Sequence, residues 1–340
     1  MQLLHATPIL LFFSLFLSGN VLASAFTPTD DTVIATSNST LVAQLTVAEI
    51  DELVHSSQYI GQTERLQGIL KTQLARLYQQ KPTPQTGYLY ARVLQKEHQF
   101  DAAINIATDV LSGAPNHSNS HLLLANIYMI QGKQLLAKQH CTALLGQVSV
   151  ITVSTCVLDV QSQQGKLLQS YQALQKITNN KDISLATAHV LSEMSYRLNN
   201  FKTALAYIED VDLQRAPVSL IVLWADAQLA LNNAPKVLST LSDLLTDSSN
   251  LEDAILLRLA IAEQQLAKST QWQTRMQRRV ALRELRQDTF HASDLAHYYI
   301  TIQPNPDKAL YWANINWQHA KMSADEQLLT QAKAMQRATL

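Results

Sequence analysis

The sequence predicts an all-α solenoid of stacked antiparallel helical hairpins. Two observations lead to this fold class. A mostly small residue recurs at intervals of 33 to 36 residues, and a second small column keeps nearly the same interval. In addition, the 340 residues include only 8 glycines, well below the ~7% of average usage. Because glycine raises the entropic cost of fixing a helix, its scarcity favours a helical chain.

Both columns have a physical role in a helical hairpin. Two antiparallel helices approach most closely where both faces carry small side chains, and an apolar residue before each first-column member fills the space towards the next hairpin. One unit loses roughly 34 to 68 kcal/mol of backbone entropy on ordering, so it must share its buried surface with stacked neighbours. The first column is Ala91, Ala125, Leu158, Ser192, Ala225, Ala260 and Ala296, and the second is Ala103, Ala137, Ser170, Ala204 and Val237.

A tight turn is predicted between the two helices of each hairpin. Glycine or asparagine occupies this place in register, in the pairs Gly132-Lys133, Gly165-Lys166, Asn199-Asn200 and Asn232-Asn233. These residues tolerate the left-handed backbone that ends many helices. Pro115 stands where the first full repeat must end.

The columns, the Gly-Lys turns and the segment FDAAINIATDVLSGAPN (Phe100–Asn116) resemble the tetratricopeptide repeat (TPR). The resemblance implies a right-handed superhelix whose first helices line a concave face. It covers residues 84–247 as regular repeats and 248–321 as degenerate ones. Residues 45–83 are predicted to form an N-terminal helical cap, and 322–340 a C-terminal capping helix, because such stacks need polar ends.

The first 25 residues resemble a secretory signal peptide. An apolar run, Ile9 to Leu17, is too short to span a bilayer and precedes the small residues Ala23-Ser24-Ala25. The protein is therefore expected to be exported, periplasmic or secreted, with a disordered leader at 26–44. No later run reaches the ~18 apolar residues of a spanning helix, so no integral membrane span is expected in the mature chain.

Composition and motifs argue against several function classes. Lys and Arg total 26 against 27 Asp and Glu, which offers no excess charge for binding nucleic acid. The sequence contains no Gly-rich phosphate loop, no His-Glu-x-x-His zinc motif and no Gly-x-Ser-x-Gly nucleophile elbow. We therefore expect no catalytic residue, no cofactor and no metal, and hence no enzyme.

A polar ladder is predicted on the concave face. The residue after each first-column member should point into the groove, and a ladder of polar side chains there suits an extended peptide. The alternative is that these residues form only the solvated side of each helix. The ladder is Arg92, Asn126, Asp159, Glu193 and Asp226, and Tyr88, His189 and Tyr196 are expected on the same surface.

A second candidate surface is a basic helix face. Arg275, Arg279, Arg283 and Arg286 follow spacings of four, four and three, which place them on one side of a helix. This stripe suits an acidic partner or anionic lipid, unless it is simply a solvated helix face.

The two cysteines, Cys141 and Cys156, lie 15 residues apart in adjacent repeats. Either they form a disulfide in an oxidising compartment or they are two small buried hydrophobic residues. The cysteine pair, the segment LLRLAIAEQQLA and the segment NPDKALYWANINWQ resemble a group of exported bacterial repeat proteins. That resemblance favours the disulfide.

The sequence therefore predicts a non-enzymatic scaffold or adaptor that binds a protein segment in its groove. A first alternative is a metal-handling exported protein that uses Cys141, Cys156 and a nearby histidine such as His140. A second is a cell-wall-associated helical enzyme, which would need a compact lysozyme-like domain for which this chain leaves no room.

Overall fold

The computed structural model of the chain describes residues 45–63, 67–179, 181–245, 251–267 and 270–338. The predicted signal peptide (1–25) and leader (26–44) lie outside these ranges. The domain boundaries drawn at residues 84 and 322 remain predictions, and the one at 248 falls outside the described residues.

The described residues form seventeen α-helices and no β-strand; an isolated bridge pairs Tyr59 with Pro217. The helices up to the middle of the chain are α1 (Val47–Ser56), α2 (Gln67–Gln80), α3 (Pro84–Lys96), α4 (Phe100–Gly113), α5 (Ser118–Ile130), α6 (Gln134–Ala143), α7 (Val150–Ser162), α8 (Leu167–Thr178) and α9 (Leu185–Arg197). The remaining helices are α10 (Phe201–Ala206), α11 (Val218–Ala230), α12 (Ala234–Leu244), α13 (Asp253–Leu266), α14 (Gln271–Leu285), α15 (Ala292–Thr301), α16 (Pro306–His319) and α17 (Ser323–Arg337). Among them, none is long and apolar enough to cross a membrane.

The two small columns meet inside the hairpins, as predicted. Ala125 and Ala137 are buried in one apolar cluster with the disulfide sulfur of Cys141. Ala91 and Ala103 are both fully buried in another. In the hairpin of α9 and α10, the buried Ser192 hydroxyl donates to the carbonyl oxygen of Ala204 at 2.8 Å. The small residues therefore mark the closest approach of paired helices.

Each of the four predicted turns contains one residue with left-handed backbone. The predicted turn residues Gly132, Gly165, Asn199 and Asn232 have φ values of 73°, 79°, 60° and 60°. At the first of these turns, the Lys133 amide donates to the carbonyl oxygen of Tyr128 at 2.8 Å, which closes the helix end. The same left-handed conformation recurs one repeat earlier, at His98, and one repeat later, at Ala267. Their φ values are 55° and 51°.

The first helices of the hairpins form the inner layer of the solenoid. Each of α3, α5, α7, α9, α11, α13 and α15 packs against the next one in this series. The second helices pack mainly against the first helices on either side of them. Helices that approach one another along a stack lie on the inside of its curve, so the first helices line the concave face, which we call the inner face.

Distant repeats also touch. The Lys321 amide donates to the carbonyl oxygen of Ile130 at 2.7 Å. The Ser323 hydroxyl donates to Gln163 Oε1 at 2.8 Å, across 160 residues of sequence. The amide of Gly61 donates to Glu252 Oε1 at 2.9 Å, across 191 residues. Residues at or just after the ends of early helices thus contact elements about five repeats later.

A glycine in α3 tests how closely the helices pack. A Cβ atom added at Gly87 would collide with the side chain of Val110 and lie 2.8 Å from the Tyr78 ring. We expect Gly87→Ala to lower the free energy of unfolding by about 1 to 3 kcal/mol through overpacking. The matched control is Gly68→Ala, because a Cβ atom there meets nothing within 4 Å. Urea denaturation followed by circular dichroism measures both changes, and equal stabilities would contradict the packing described.

Candidate binding face

The N-terminal end of the polar ladder lies beside a cavity. Arg92 Nη1 donates to Tyr88 Oη at 3.4 Å, and the guanidinium lies 5.8 Å from the centre of the Tyr88 ring. Asn126 is exposed and accepts a hydrogen bond from Gln95 Nε2 at 2.6 Å. Arg92 and Gln95 both line a cavity of about 340 Å³ that α1 and the start of α11 complete. This end of the ladder is therefore accessible.

The middle of the ladder is a cluster of acidic groups on α7 and α9. Asp159, His189 and Glu193 interact electrostatically. Burial, followed by the charge of Glu193, raises the pKa of Asp159 to about 7, although the Arg197 guanidinium acts in the opposite direction. Burial also lowers the pKa of His189.

One carboxylate oxygen of Asp159 lacks a hydrogen-bond partner among the described residues. This oxygen, Oδ1, is buried. The nearby Arg197 donates instead to Ser162, at 2.9 Å to Oγ and 2.8 Å to the carbonyl oxygen. Arg197 also lies 3.7 Å from Glu193 Oε1. The cluster thus contains two carboxyl groups and one guanidinium, which hydrogen-bonds Ser162 and lies within ion-pair distance of Glu193.

The C-terminal end of the ladder is paired internally. The Arg258 guanidinium donates to both Asp226 carboxylate oxygens, at 2.9 and 2.8 Å. It also lies 3.6 Å from Asp294 Oδ1. Burial disfavours the charged form of Arg258, but the carboxylates of Asp226 and Asp294 outweigh burial. The pKa of the guanidinium is therefore raised. Burial, with Asp226 as a smaller cause, raises the pKa of Tyr196 to about 12.

Three residues of this face were missed in the sequence analysis: Arg258, Asp294 and His297. Burial and then the charge of Arg258 lower the pKa of His297 to about 4, and burial raises the pKa of Asp294 to about 6. His297 directly follows Ala296, so it occupies the ladder position of the last repeat. Extending the column through the degenerate repeats would have identified it.

The arginine stripe on α14 does not form one free basic surface. Arg279 contacts the Asp253 carboxylate, whose side chain is completely buried. Arg283 Nε donates to Asp253 Oδ2 at 2.9 Å, and its Nη1 donates to Asp288 Oδ2 at 2.8 Å. Arg275 lies over the Trp272 ring at 4.9 Å, while Arg286 is exposed after the helix end. Two of the four charges therefore neutralise a buried aspartate, which corrects the sequence-based interpretation.

Cys141 and Cys156 form a disulfide that joins α6 to α7, with their Cα atoms 5.5 Å apart. His140, beside it, shares a hydrogen bond with His121, at 2.9 Å between the two Nδ1 atoms. In the part of the chain that the structure describes, no group of three or more His, Cys, Asp or Glu side chains is arranged to hold a metal ion.

A comparison with solved structures finds a match to a TPR domain. The crystal structure of the P58(IPK) TPR domain shares 12% identity with this chain, covers 86% of it and 99% of its own length, and has a TM-score of 0.26. No family model and no curated protein matches the chain. A TM-score this low is not evidence of a shared overall arrangement, so the fold rests on the chain's own hairpins. The chain is an all-α solenoid of stacked helical hairpins.

The acidic cluster predicts an unusual pH dependence. Because the pKa of Asp159 is raised in the folded state to about 7, its contribution to stability is present at low pH and is lost as pH rises through about 7. We expect Asp159→Asn to gain stability relative to the natural chain between about pH 5 and about pH 8. Urea denaturation at both pH values measures this gain.

The exposed Asp210, in the loop after α10, supplies the control. Asp210→Asn should show no such pH-dependent gain. A stability difference for Asp159→Asn that stays constant with pH would contradict the raised pKa.

Proposed function

We propose that the chain is a non-enzymatic scaffold that holds an extended segment of a partner protein on its inner face. The cluster of Asp159 and Glu193 carries this proposal. A carboxylate oxygen that is buried without a hydrogen-bond partner is costly, and a bound partner would supply the missing contact. Groups with strongly shifted pKa values also concentrate at functional sites.

The neighbouring surfaces support the same use. The exposed Asn126 and the cavity beside Arg92 lie along the same face as Asp159, and they offer donors and acceptors to the backbone of an extended ligand. By contrast, the two cysteine sulfurs are bonded to each other, so they are not available as the thiolate ligands that the metal-handling alternative requires.

We also infer that the chain is exported to the periplasm or secreted. The apolar run at residues 9–17 and the disulfide support this inference. A C-terminally tagged chain should be recovered from the periplasmic fraction or medium with Phe26 at its N-terminus. Recovery only from the cytoplasm with the first 25 residues attached would contradict export.

Site-specific crosslinking tests the scaffold function. We would place a photoreactive amino acid at Asn126, on the inner face, and at the exposed Gln139 on the second helix α6 as a matched control. Mass spectrometry of crosslinked material should identify one recurrent protein segment at position 126 and none at position 139. Equal yields at both positions, or none at position 126, would contradict a partner on the inner face.

The crosslinking should also depend on the acidic cluster. Asp159→Asn combined with Glu193→Gln should reduce the yield at position 126 without loss of helicity. Asp226 is left unchanged in this variant, because its carboxylate holds Arg258.

A further inference from the structure

Asp226, the last residue of the polar ladder, shows which contact Asp159 lacks. Asp226 on α11 receives two hydrogen bonds from Arg258, which lies 32 residues later on the next first helix, α13. This fork-to-carboxylate geometry is among the stronger polar contacts in proteins. The residue 32 positions after Asp159 is Leu191, which is fully buried and apolar. Among the described residues, no arginine therefore stands beside Asp159 in the position that Arg258 takes beside Asp226.

The surroundings of Asp159 compensate its negative charge only in part. Arg197 is the guanidinium closest in sequence to Glu193, and its hydrogen bonds go to Ser162 on α7. Asp159 Oδ1 is buried without a partner, yet the residue as a whole remains partly exposed. Glu193 keeps 31% of its side chain exposed, so a cation from solvent can approach its carboxylate, beside Asp159.

We propose that Asp159, Glu193 and His189 form a subsite for one cationic side chain, preferably an arginine, of the bound segment. The guanidinium would donate to Asp159 as Arg258 donates to Asp226, and its charge would relieve the repulsion between Asp159 and Glu193. A lysine ammonium would bind the same pair of carboxylates as a point charge, with fewer directed hydrogen bonds.

The electrostatics of the cluster agree with this assignment. Burial and the charge of Glu193 both disfavour the ionised form of Asp159, whereas Arg197, Gln163 and Ser162 favour it more weakly. A bound cation would also favour the ionised form of Asp159. It should therefore lower the pKa of Asp159, a response that a carboxyl group with a purely structural role would not give.

Small cations test the subsite without any partner protein. The purified chain is titrated with methylguanidinium chloride and n-butylammonium chloride, and tetramethylammonium chloride controls for ionic strength. Nuclear magnetic resonance follows the carboxyl carbon of Asp159 and the imidazole of His189. We expect saturable binding of the first two salts, tighter for methylguanidinium, with a fall in the pKa of Asp159.

Matched variants decide the assignment. Asp159→Asn combined with Glu193→Gln should weaken methylguanidinium binding by at least about tenfold, whereas Asp210→Asn should leave it unchanged. Titrations that fail to saturate, or equal binding by the double variant, would overturn the subsite.

The subsite rests on the proposed function only where the cation is assigned to a partner segment. Failure of the small-cation titration with intact crosslinking at Asn126 would remove the subsite and leave the scaffold. Saturable cation binding with no crosslinked partner would leave the subsite and remove the scaffold.

Discussion

The structure depends on one recurring contact: small side chains that let the two helices of each hairpin approach closely. Ala91 and Ala103 share one buried apolar cluster, and Ala125 and Ala137 share another. Where the pair is Ser192 and Ala204, a buried hydrogen bond joins the two helices. Where this contact recurs, the first helices stack in register, and the residues that follow the first small column succeed one another along the inner face.

The residues of the polar ladder differ in their electrostatic roles. The pair Asp226 and Arg258 is satisfied by neighbouring helices of the same chain, so it stabilises the stack. By contrast, Asp159 Oδ1 has no hydrogen-bond partner among the described residues. In the proposed binding mode, a cation of the partner would bind at this carboxylate and favour its ionised form.

Much of the fold could be predicted from sequence because its determinants are local. The small side chains of Ala125 and Ala137 and the backbone freedom of Gly132 are visible in the sequence itself. The ion pairs could not be predicted in this way: Arg279 and Arg283 looked like a free stripe because Asp253, which they neutralise, is buried in another helix. The contacts across 160 to 191 residues were equally inaccessible, since they depend on curvature accumulated over several repeats.

The most direct test of the small-residue contact is a pair of substitutions on α6. Ala137 is fully buried against α5, whereas its neighbour Lys138 is exposed. Ala137→Leu should lower the free energy of unfolding in urea by about 1 to 3 kcal/mol by forcing the helices apart. Lys138→Leu should change it by less than about 0.5 kcal/mol. A substitution at Ala137 that leaves stability unchanged would contradict the account of the fold.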